Sequence, residues 1–191
     1  MKELRKHMTA GLRLLLVATV ALVMTAGCGK GEKTAGANAP ENISGFTSWN
    51  SFTAKTADGN EFTESNFSDH DVTVINVWSI TCGPCIREMP AIAEFQKNLD
   101  DNVQLITYCI DGNHYPDEAK RILSDSGFEG ITLLSGDGDM ETFTEEIQYV
   151  PTTIFVDNKG NIVGEAIIGA YQDLERRYQK SIDDALKTLG K

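Results

Sequence analysis

Apolar and polar positions along the chain alternate between strand-like and helix-like spacing. The run Val72–Trp78 is rich in β-branched and aromatic residues and predicts a buried strand, and from residue 85 to 99 the apolar residues recur with helical spacing. The same criteria predict strands at 103–110, 131–134, 152–156 and 162–168, and helices at 116–126, 140–147 and 174–189. A turn signal at 58–60 between two short β-rich runs predicts a β-hairpin, which precedes the strand at 72–78. Strands alternating with helices, with a hairpin and a helix at the end, predict an α/β sandwich around a mixed central sheet.

The beginning of the chain has a different pattern. Basic residues precede an apolar run of 11 residues at 14–24, which suits a signal peptide and is short for a membrane span. Small and polar residues then continue to residue 45 and predict a flexible tether. We therefore divide the 191 residues into a signal peptide at 1–27, a tether at 28–45 and one folded domain at 46–191. An uncleaved anchor at 12–26 is the alternative, and both interpretations place the domain outside the cytoplasm on a membrane.

The net charge changes which partners are possible. The whole chain carries −11, and residues 1–27 hold four basic residues and one acidic residue, so the remainder carries −14. Such an acidic domain is not a nucleic-acid binder, and it is repelled by anionic lipid headgroups.

The candidate reactive site is the dithiol Cys82-Gly-Pro-Cys85. It lies where the strand pattern of 72–78 is followed by a helix pattern. Cys82 falls at the predicted helix N-terminus, where unpaired N–H groups and the helix dipole stabilise a thiolate. Cys85 is one turn further and should be more buried, so we expect Cys82 to attack a substrate disulfide and Cys85 to resolve the mixed disulfide. Half of a zinc site is the alternative. A second Cys-x-x-Cys is missing, and none of the three histidines is paired at ligand spacing.

Several motifs together resemble the thioredoxin superfamily and its membrane-tethered TlpA/ResA-type branch. They are Trp78, the Cys-Gly-Pro-Cys motif, Glu88, Pro90 and the later run Tyr-Val-Pro-Thr-Thr at 149–153. The resemblance implies a thioredoxin-like three-layer α/β/α sandwich with a mixed central sheet, an extra N-terminal β-hairpin and a central insertion around 111–135. The sequence Ala26-Gly27-Cys28 is similar to a bacterial lipobox, in which Cys28 is lipidated and begins the mature chain; Thr25 stands where that pattern prefers leucine. Two acyl chains suffice for stable anchoring.

The resemblance also implies a substrate-binding surface beside the dithiol. Pro151 is expected to follow a cis peptide bond, and the backbone of Val150 to pair with an extended substrate chain. Gly83 permits close approach of that chain, and Pro84 fixes the first helical turn. Trp78 is expected to pack under the motif, which differs little from ordinary core packing.

Glu88 is the candidate general acid/base. It follows Cys85 by one helical turn, and Asn76 stands where many thioredoxins have a titratable aspartate. The TlpA/ResA branch commonly has a glutamate here, and partial burial should raise its pKa. The alternative is a solvated helix glutamate paired with a neighbouring charge.

Cys109, near the end of the 103–110 strand, belongs neither to the Cys-Gly-Pro-Cys motif nor to the predicted lipidation site. A buried cysteine ordinarily behaves as a small apolar residue. The alternatives are a third redox thiol, or with His114 a copper site of a metallochaperone kind, although those proteins use a different cysteine spacing.

The function predicted from these features is a lipid-anchored, extracytoplasmic thiol-disulfide oxidoreductase of a bacterial cell membrane, acting as a reductase. It needs no cofactor beyond the Cys82–Cys85 disulfide, and no metal. The resemblance implies a membrane thiol transporter of the CcdA/DsbD kind as electron donor. It implies apocytochrome c, methionine sulfoxide reductase or another secreted protein as the disulfide-containing substrate. A thiol peroxidase would instead turn over hydrogen peroxide, and a metal-binding or ligand-binding lipoprotein would carry copper and fail to reduce insulin.

Overall fold

The structure is a computed structural model that describes residues 45–191. The predicted signal peptide at 1–27, Cys28 and almost all of the tether lie outside the described residues. Within 45–191, no helix combines the length and the apolar character needed to cross a membrane.

Seven strands form one mixed sheet in the order β2-β1-β5-β4-β3-β6-β7. The central strands β3, β4 and β5 are parallel, and the pairs at both edges are antiparallel. The strands are β1 (Phe52–Thr56), β2 (Glu61–Thr63), β3 (Val72–Trp78), β4 (Val103–Cys109), β5 (Thr132–Gly138), β6 (Thr152–Asp157) and β7 (Ile167–Ile168). The α-helices are α1 (Gly83–Gln96), α2 (Pro116–Ser126), α3 (Asp139–Glu146) and α4 (Leu174–Thr188), and a 3-10 helix covers Glu64–Asp69.

The sheet separates two apolar cores, which makes three layers. Helices α1, α2 and α4 cover one face and contribute buried residues such as Met89, Ile122 and Ile182. The other face is covered by α3, the 3-10 helix and the segment before β1, with Trp49 and Phe143 at its centre. Every residue of β3 is buried, as expected for a central parallel strand with helices or loops over both faces. The predicted α/β sandwich, its mixed sheet and its N-terminal hairpin are confirmed.

Two strands differ from the sequence prediction. The final strand was expected at 162–168, but it is reduced to Ile167–Ile168 and a single bridge between Val156 and Ile162. Gly164, between them, has a φ of 74°, which is incompatible with an extended strand. Strand β5 is longer than predicted, because its polar end pairs with β1.

The segment 111–135, predicted as an insertion, supplies α2 and the start of β5. Helix α2 begins with Pro116 in its first turn and ends at Gly127, whose φ of 72° suits glycine at a helix C-terminus. Helix α1 continues past Pro90, which is exposed, and ends at Gln96, three residues before the predicted boundary.

Candidate active site

The Cys-Gly-Pro-Cys motif forms the first turn of α1 at the carboxyl end of β3. Cys82 is the residue that caps the helix, and Pro84 lies in its first turn. Cys82 and Cys85 are joined by a disulfide bond, and the Cys85 N–H donates to Cys82 Sγ at 3.2 Å. When the disulfide is reduced, this N–H points at the Cys82 sulfur and favours its thiolate form.

The two sulfurs differ in exposure as predicted. Cys85 has no exposed surface and belongs to the core that α1 shares with the sheet, whereas Cys82 is half-buried. A reagent or substrate from solution therefore reaches Cys82 first.

The segment before β6 faces the disulfide. The Val150–Pro151 peptide bond is cis, as predicted, and the Val150 carbonyl oxygen lies 3.6 Å from Cys82 Sγ. Gly83 adds no side chain to this surface, and a Cβ there would lie 3.2 Å from the Arg87 guanidinium. Tyr149 is 62 % exposed and stands at the rim. An extended chain docked along Val150 would thus pass close to the half-buried Cys82 sulfur.

Trp78 lies at the end of β3, in the same core as Cys85. Its side chain has no exposed surface, so it packs in the core behind the motif and is not accessible to a docked chain.

Glu88 is buried, which rules out the solvated-glutamate alternative. Its side chain is only 8 % exposed, and Oε1 accepts a hydrogen bond from Asn76 Nδ2 at 3.2 Å. Burial raises the pKa of Glu88 to about 7, and the bond from Asn76 opposes that rise. Glu88 follows Cys85 on the buried side of α1 and lines an open groove of about 500 Å³ between α1 and the start of α4, with Pro84 among its other lining residues. The carboxyl group can therefore exchange a proton near neutral pH.

Asn76 connects Glu88 to two hydroxyl groups that the sequence analysis did not assign to the site. Its Nδ2 lies 3.1 Å from Thr153 Oγ1 and 3.2 Å from the Tyr178 hydroxyl, and these two hydroxyls lie 2.6 Å apart. The strand pattern around Thr153 does not distinguish it from its neighbours. Tyr178 lies in the apolar stripe of α4, so its hydroxyl group was not noticed. The signal that was present is the polar character of Asn76 within a strand that is otherwise mostly apolar.

Asp111 is a third residue that the sequence analysis missed. Its carboxylate accepts hydrogen bonds from the Ser79 hydroxyl at 2.7 Å and from the Ile80 N–H at 3.1 Å, and so fixes the loop between β3 and Cys82. Partial burial would raise the pKa of Asp111, but the hydrogen bonds from Ser79 and Ile80 outweigh it and hold the pKa below its ordinary value. Its place just after β4, at the carboxyl edge of parallel strands, was the available signal.

Cys109 is buried beside Trp78, which is its partner in the register of β3 and β4. Its thiol lies 3.3 Å from Asp111 Oδ1. Burial, the hydrogen bond to Asp111 and the Asp111 charge raise the pKa of Cys109, so the group stays a thiol. This agrees with the interpretation of Cys109 as a small buried residue. His114 is exposed, and no group of three or more metal-ligating side chains is assembled within 45–191.

Comparison with solved structures defines the class of fold as thioredoxin-like. A putative thiol:disulfide interchange protein DsbE from Chlorobium tepidum superposes with a TM-score of 0.61 at 18 % identity, covering 73 % of this chain and 96 % of that one. StoA from Bacillus subtilis superposes with a TM-score of 0.54 at 21 % identity, covering 68 % and 94 %.

The Redoxin family profile matches residues 34–179, and the chain belongs to this family. The thiol:disulfide interchange protein HelX of Rhodobacter capsulatus is 24 % identical over 102 residues, which are 53 % of this chain and 55 % of HelX. The chain thus spans about half the length of this curated relative. The resemblance to the thioredoxin superfamily and its TlpA/ResA-type branch is confirmed.

Proposed function

We propose that this protein is an extracytoplasmic thiol-disulfide oxidoreductase that reduces disulfides of other proteins through Cys82 and Cys85. One observation carries the proposal. The two cysteines form a disulfide at a helix N-terminus, with one sulfur accessible beside the Val150 carbonyl and the other buried behind it. This asymmetry suits a reaction in which one sulfur meets the substrate and the other closes the cycle.

The reaction begins from the reduced dithiol. The Cys82 thiolate attacks one sulfur of a substrate disulfide, and the other substrate sulfur leaves as a thiolate. The Cys85 thiolate then attacks Cys82 Sγ in the mixed disulfide, which forms the Cys82–Cys85 bond and releases the second substrate thiolate. Two electrons pass from the dithiol to the substrate, and a donor dithiol must later return them.

Substrate docking is assigned to the surface around the accessible sulfur. The backbone of Val150 can pair with an extended substrate segment, as in β-strand addition, because its carbonyl oxygen lies 3.6 Å from Cys82 Sγ. Gly83 and Pro84 border the same surface, and the absence of a Cβ at Gly83 leaves room for the substrate backbone.

Proton transfer is assigned to Glu88. Cys85 is fully buried, which disfavours its thiolate, yet the second step requires that thiolate. A carboxylate one helical turn away with a pKa of about 7 can accept the Cys85 proton and release it through the groove between α1 and α4.

The N-terminal sequence and the relatives support a proposal for the cellular setting. Lipidation of Cys28 would hold the domain on the outer side of a bacterial cell membrane. HelX and the Chlorobium protein are described as thiol:disulfide interchange proteins. By analogy, the electron donor is a membrane thiol transporter of the CcdA/DsbD kind. The substrates are secreted or membrane-associated proteins with disulfides, such as apocytochrome c or methionine sulfoxide reductase.

The decisive experiment compares two cysteine variants of the full chain with insulin as the disulfide substrate and a chemical dithiol as donor. The wild type should reduce insulin, and Cys82→Ser should not. Cys85→Ser that is reduced first and then freed of the dithiol should accumulate a mixed disulfide with the substrate, because attack proceeds and resolution cannot. A mixed disulfide in Cys82→Ser, or turnover by either variant at the wild-type rate, would contradict the proposal.

A further inference from the structure

Four side chains from four elements converge behind the redox motif. Asn76 of β3 lies opposite Thr153 of β6 in the sheet register, Glu88 approaches from α1 and Tyr178 from α4. All four are nearly inaccessible: Asn76 is 1 % exposed, Thr153 2 %, Tyr178 1 % and Glu88 8 %. Polar groups this deep must be satisfied mainly by one another.

The hydrogen bonds within this cluster do not balance. Asn76 Nδ2 has two hydrogens, but three oxygens lie within 3.2 Å of it, those of Glu88, Thr153 and Tyr178. The Asn76 Oδ1 and Glu88 Oε2 atoms are buried without a partner among the described residues. Within residues 45–191, the Glu88 carboxyl group therefore obtains its one hydrogen bond from the Asn76 amide, which also lies within hydrogen-bond distance of two hydroxyl groups.

We propose that Tyr178 and Thr153 are positioning residues that act on Glu88 through Asn76, by competing for the amide hydrogens that its carboxylate would otherwise receive. A carboxylate is stabilised by each N–H donated to it, whereas a protonated carboxyl group gains less from the same donor. Competition for the Asn76 hydrogens keeps Glu88 more readily protonated than a fully donated hydrogen bond would. This inference rests on the proposed function, since it concerns how the proton acceptor for Cys85 is adjusted.

The other charged and titratable groups near Glu88 are few, and none of them takes part in the hydrogen bonds of the cluster. Beyond Tyr178, those that line the same groove or belong to the motif are Cys82, Cys85, Arg87, Glu94, Tyr171 and Glu175. Strands β3 and β6 contribute only the neutral Asn76 and Thr153 at this point. Substitution of a hydroxyl group in the cluster leaves every one of these charges in place, so a shift in the titration of Glu88 reports the hydrogen-bond competition.

The inference predicts a lower titration midpoint of Glu88 in two variants and a higher midpoint in a third. Tyr178→Phe and Thr153→Val each remove one competitor and keep the shape of the side chain. The Asn76 amide then has two hydrogens for two oxygens, and the titration midpoint of Glu88 should fall by roughly half a pH unit in each variant. Asn76→Ala removes the donor itself and should raise the midpoint by about one unit. Tyr108→Phe is the matched control, because it removes a buried hydroxyl that bonds to Thr144 in the other core.

The measurement is carbon-13 NMR of glutamate side-chain carboxyls in the oxidised full chain, with the Glu88 signal assigned by its absence in Glu88→Gln. The pH dependence of insulin reduction is followed in parallel and should shift by the same amount. A purely structural role for Tyr178 would lower the melting temperature and leave the midpoint of Glu88 unchanged, and that result would overturn the inference, as would an upward shift. If the carboxyl midpoint shifts as expected while insulin is not reduced, the hydrogen-bond competition stands and the proposed function fails.

Discussion

Glu88 is the residue whose protonation depends most on its environment. A glutamate that is nearly inaccessible and holds one shared hydrogen bond keeps its proton up to a pH of about 7, although its ordinary pKa is 4.5. Asn76 cannot titrate, so within the cluster behind the motif Glu88 is the one group that changes charge near neutral pH. Both its chemistry and its effect on stability depend on that protonation.

Glu88→Gln should slow protein disulfide reduction while preserving the shape of the site. Glutamine cannot accept the Cys85 proton, and the loss of a general acid/base costs at least about 10²-fold. The rate should be followed against pH, where the wild type shows a limb near pH 7 and the variant lacks it. An unchanged rate and pH profile would mean that the Cys85 proton leaves through water.

The same substitution should change how stability depends on pH. In the folded state the pKa of Glu88 is raised to about 7, and in the unfolded state it returns to about 4.5, so between these values only the folded protein holds the proton. Stability therefore falls as the pH rises through this window, by roughly 3 kcal/mol in all, because the buried carboxylate is disfavoured.

Denaturant titrations of the wild type and Glu88→Gln at pH 4 and pH 8 test this expectation. The variant should gain stability relative to the wild type as the pH rises. Glu94→Gln, which alters an exposed glutamate of the same helix, is the control and should follow the wild type. Equal pH dependence in Glu88→Gln and the wild type would show that Glu88 ionises without penalty.

The loop that joins β3 to α1 is the element on which the geometry of Cys82 depends. Only three residues separate Trp78 from Cys82, and Asp111 holds two of them, through the Ser79 hydroxyl and the Ile80 N–H. The Cys82 N–H in turn donates to the Ser79 carbonyl at 3.1 Å. The position of the helix cap is thus set by a carboxylate at the end of the neighbouring strand β4.

Asp111→Ala should destabilise this loop. The carboxylate accepts from the Ser79 hydroxyl through one oxygen and from the Ile80 N–H through the other, and alanine accepts from neither. The partly buried Ile80 N–H then loses its partner, at a cost of about 1–3 kcal/mol. The free energy of unfolding should fall by that amount, and alkylation of Cys82 in the reduced protein should slow as the cap loses its geometry.

Ser79→Ala separates the two contacts of Asp111, since it removes the Ser79 hydroxyl and leaves the Ile80 N–H paired with the carboxylate. It also removes the contacts of that hydroxyl with Thr81 Oγ1 at 3.0 Å and with the Thr81 N–H at 3.2 Å. Alkylation of Cys82 should slow in both variants, and a wild-type rate in Ser79→Ala would assign the loop geometry to the bond from the Ile80 N–H.

At the scale of the whole molecule, the location of the chemistry depends on the predicted lipidation of Cys28. Cys28 lies outside the described residues, and its lipidation is a prediction from the basic start, the apolar run and the small residues before it. The wild-type chain should appear in the membrane fraction, with mass spectrometry finding an acylated N-terminus at Cys28. Cys28→Ser should block this processing, and recovery of the intact N-terminus from the wild type would favour an uncleaved anchor.

The sequence by itself determined the order of elements and the identity of the dithiol, because both depend on local features. The apolar run of β3, the proline in the first turn of α1 and Gly127 after α2 each act within a few residues of the boundary they set. The chemistry of Cys82 and Cys85 follows from a separation of three residues at a helix N-terminus. Predictions of this kind succeed since they need no knowledge of distant neighbours.

The tertiary structure alone decided which side chains surround the dithiol and where the strand pairing stops. Asn76 meets its partners across separations of 12, 77 and 102 residues, and Asp111 reaches Ser79 across 32. Nothing in local spacing indicates that a tyrosine of α4 and a threonine of β6 share one amide. The extension of β5 depends likewise on pairing with β1. Polar contacts between distant segments are fixed by how the sheet and helices pack, and in this protein those contacts determine how strongly Glu88 holds its proton.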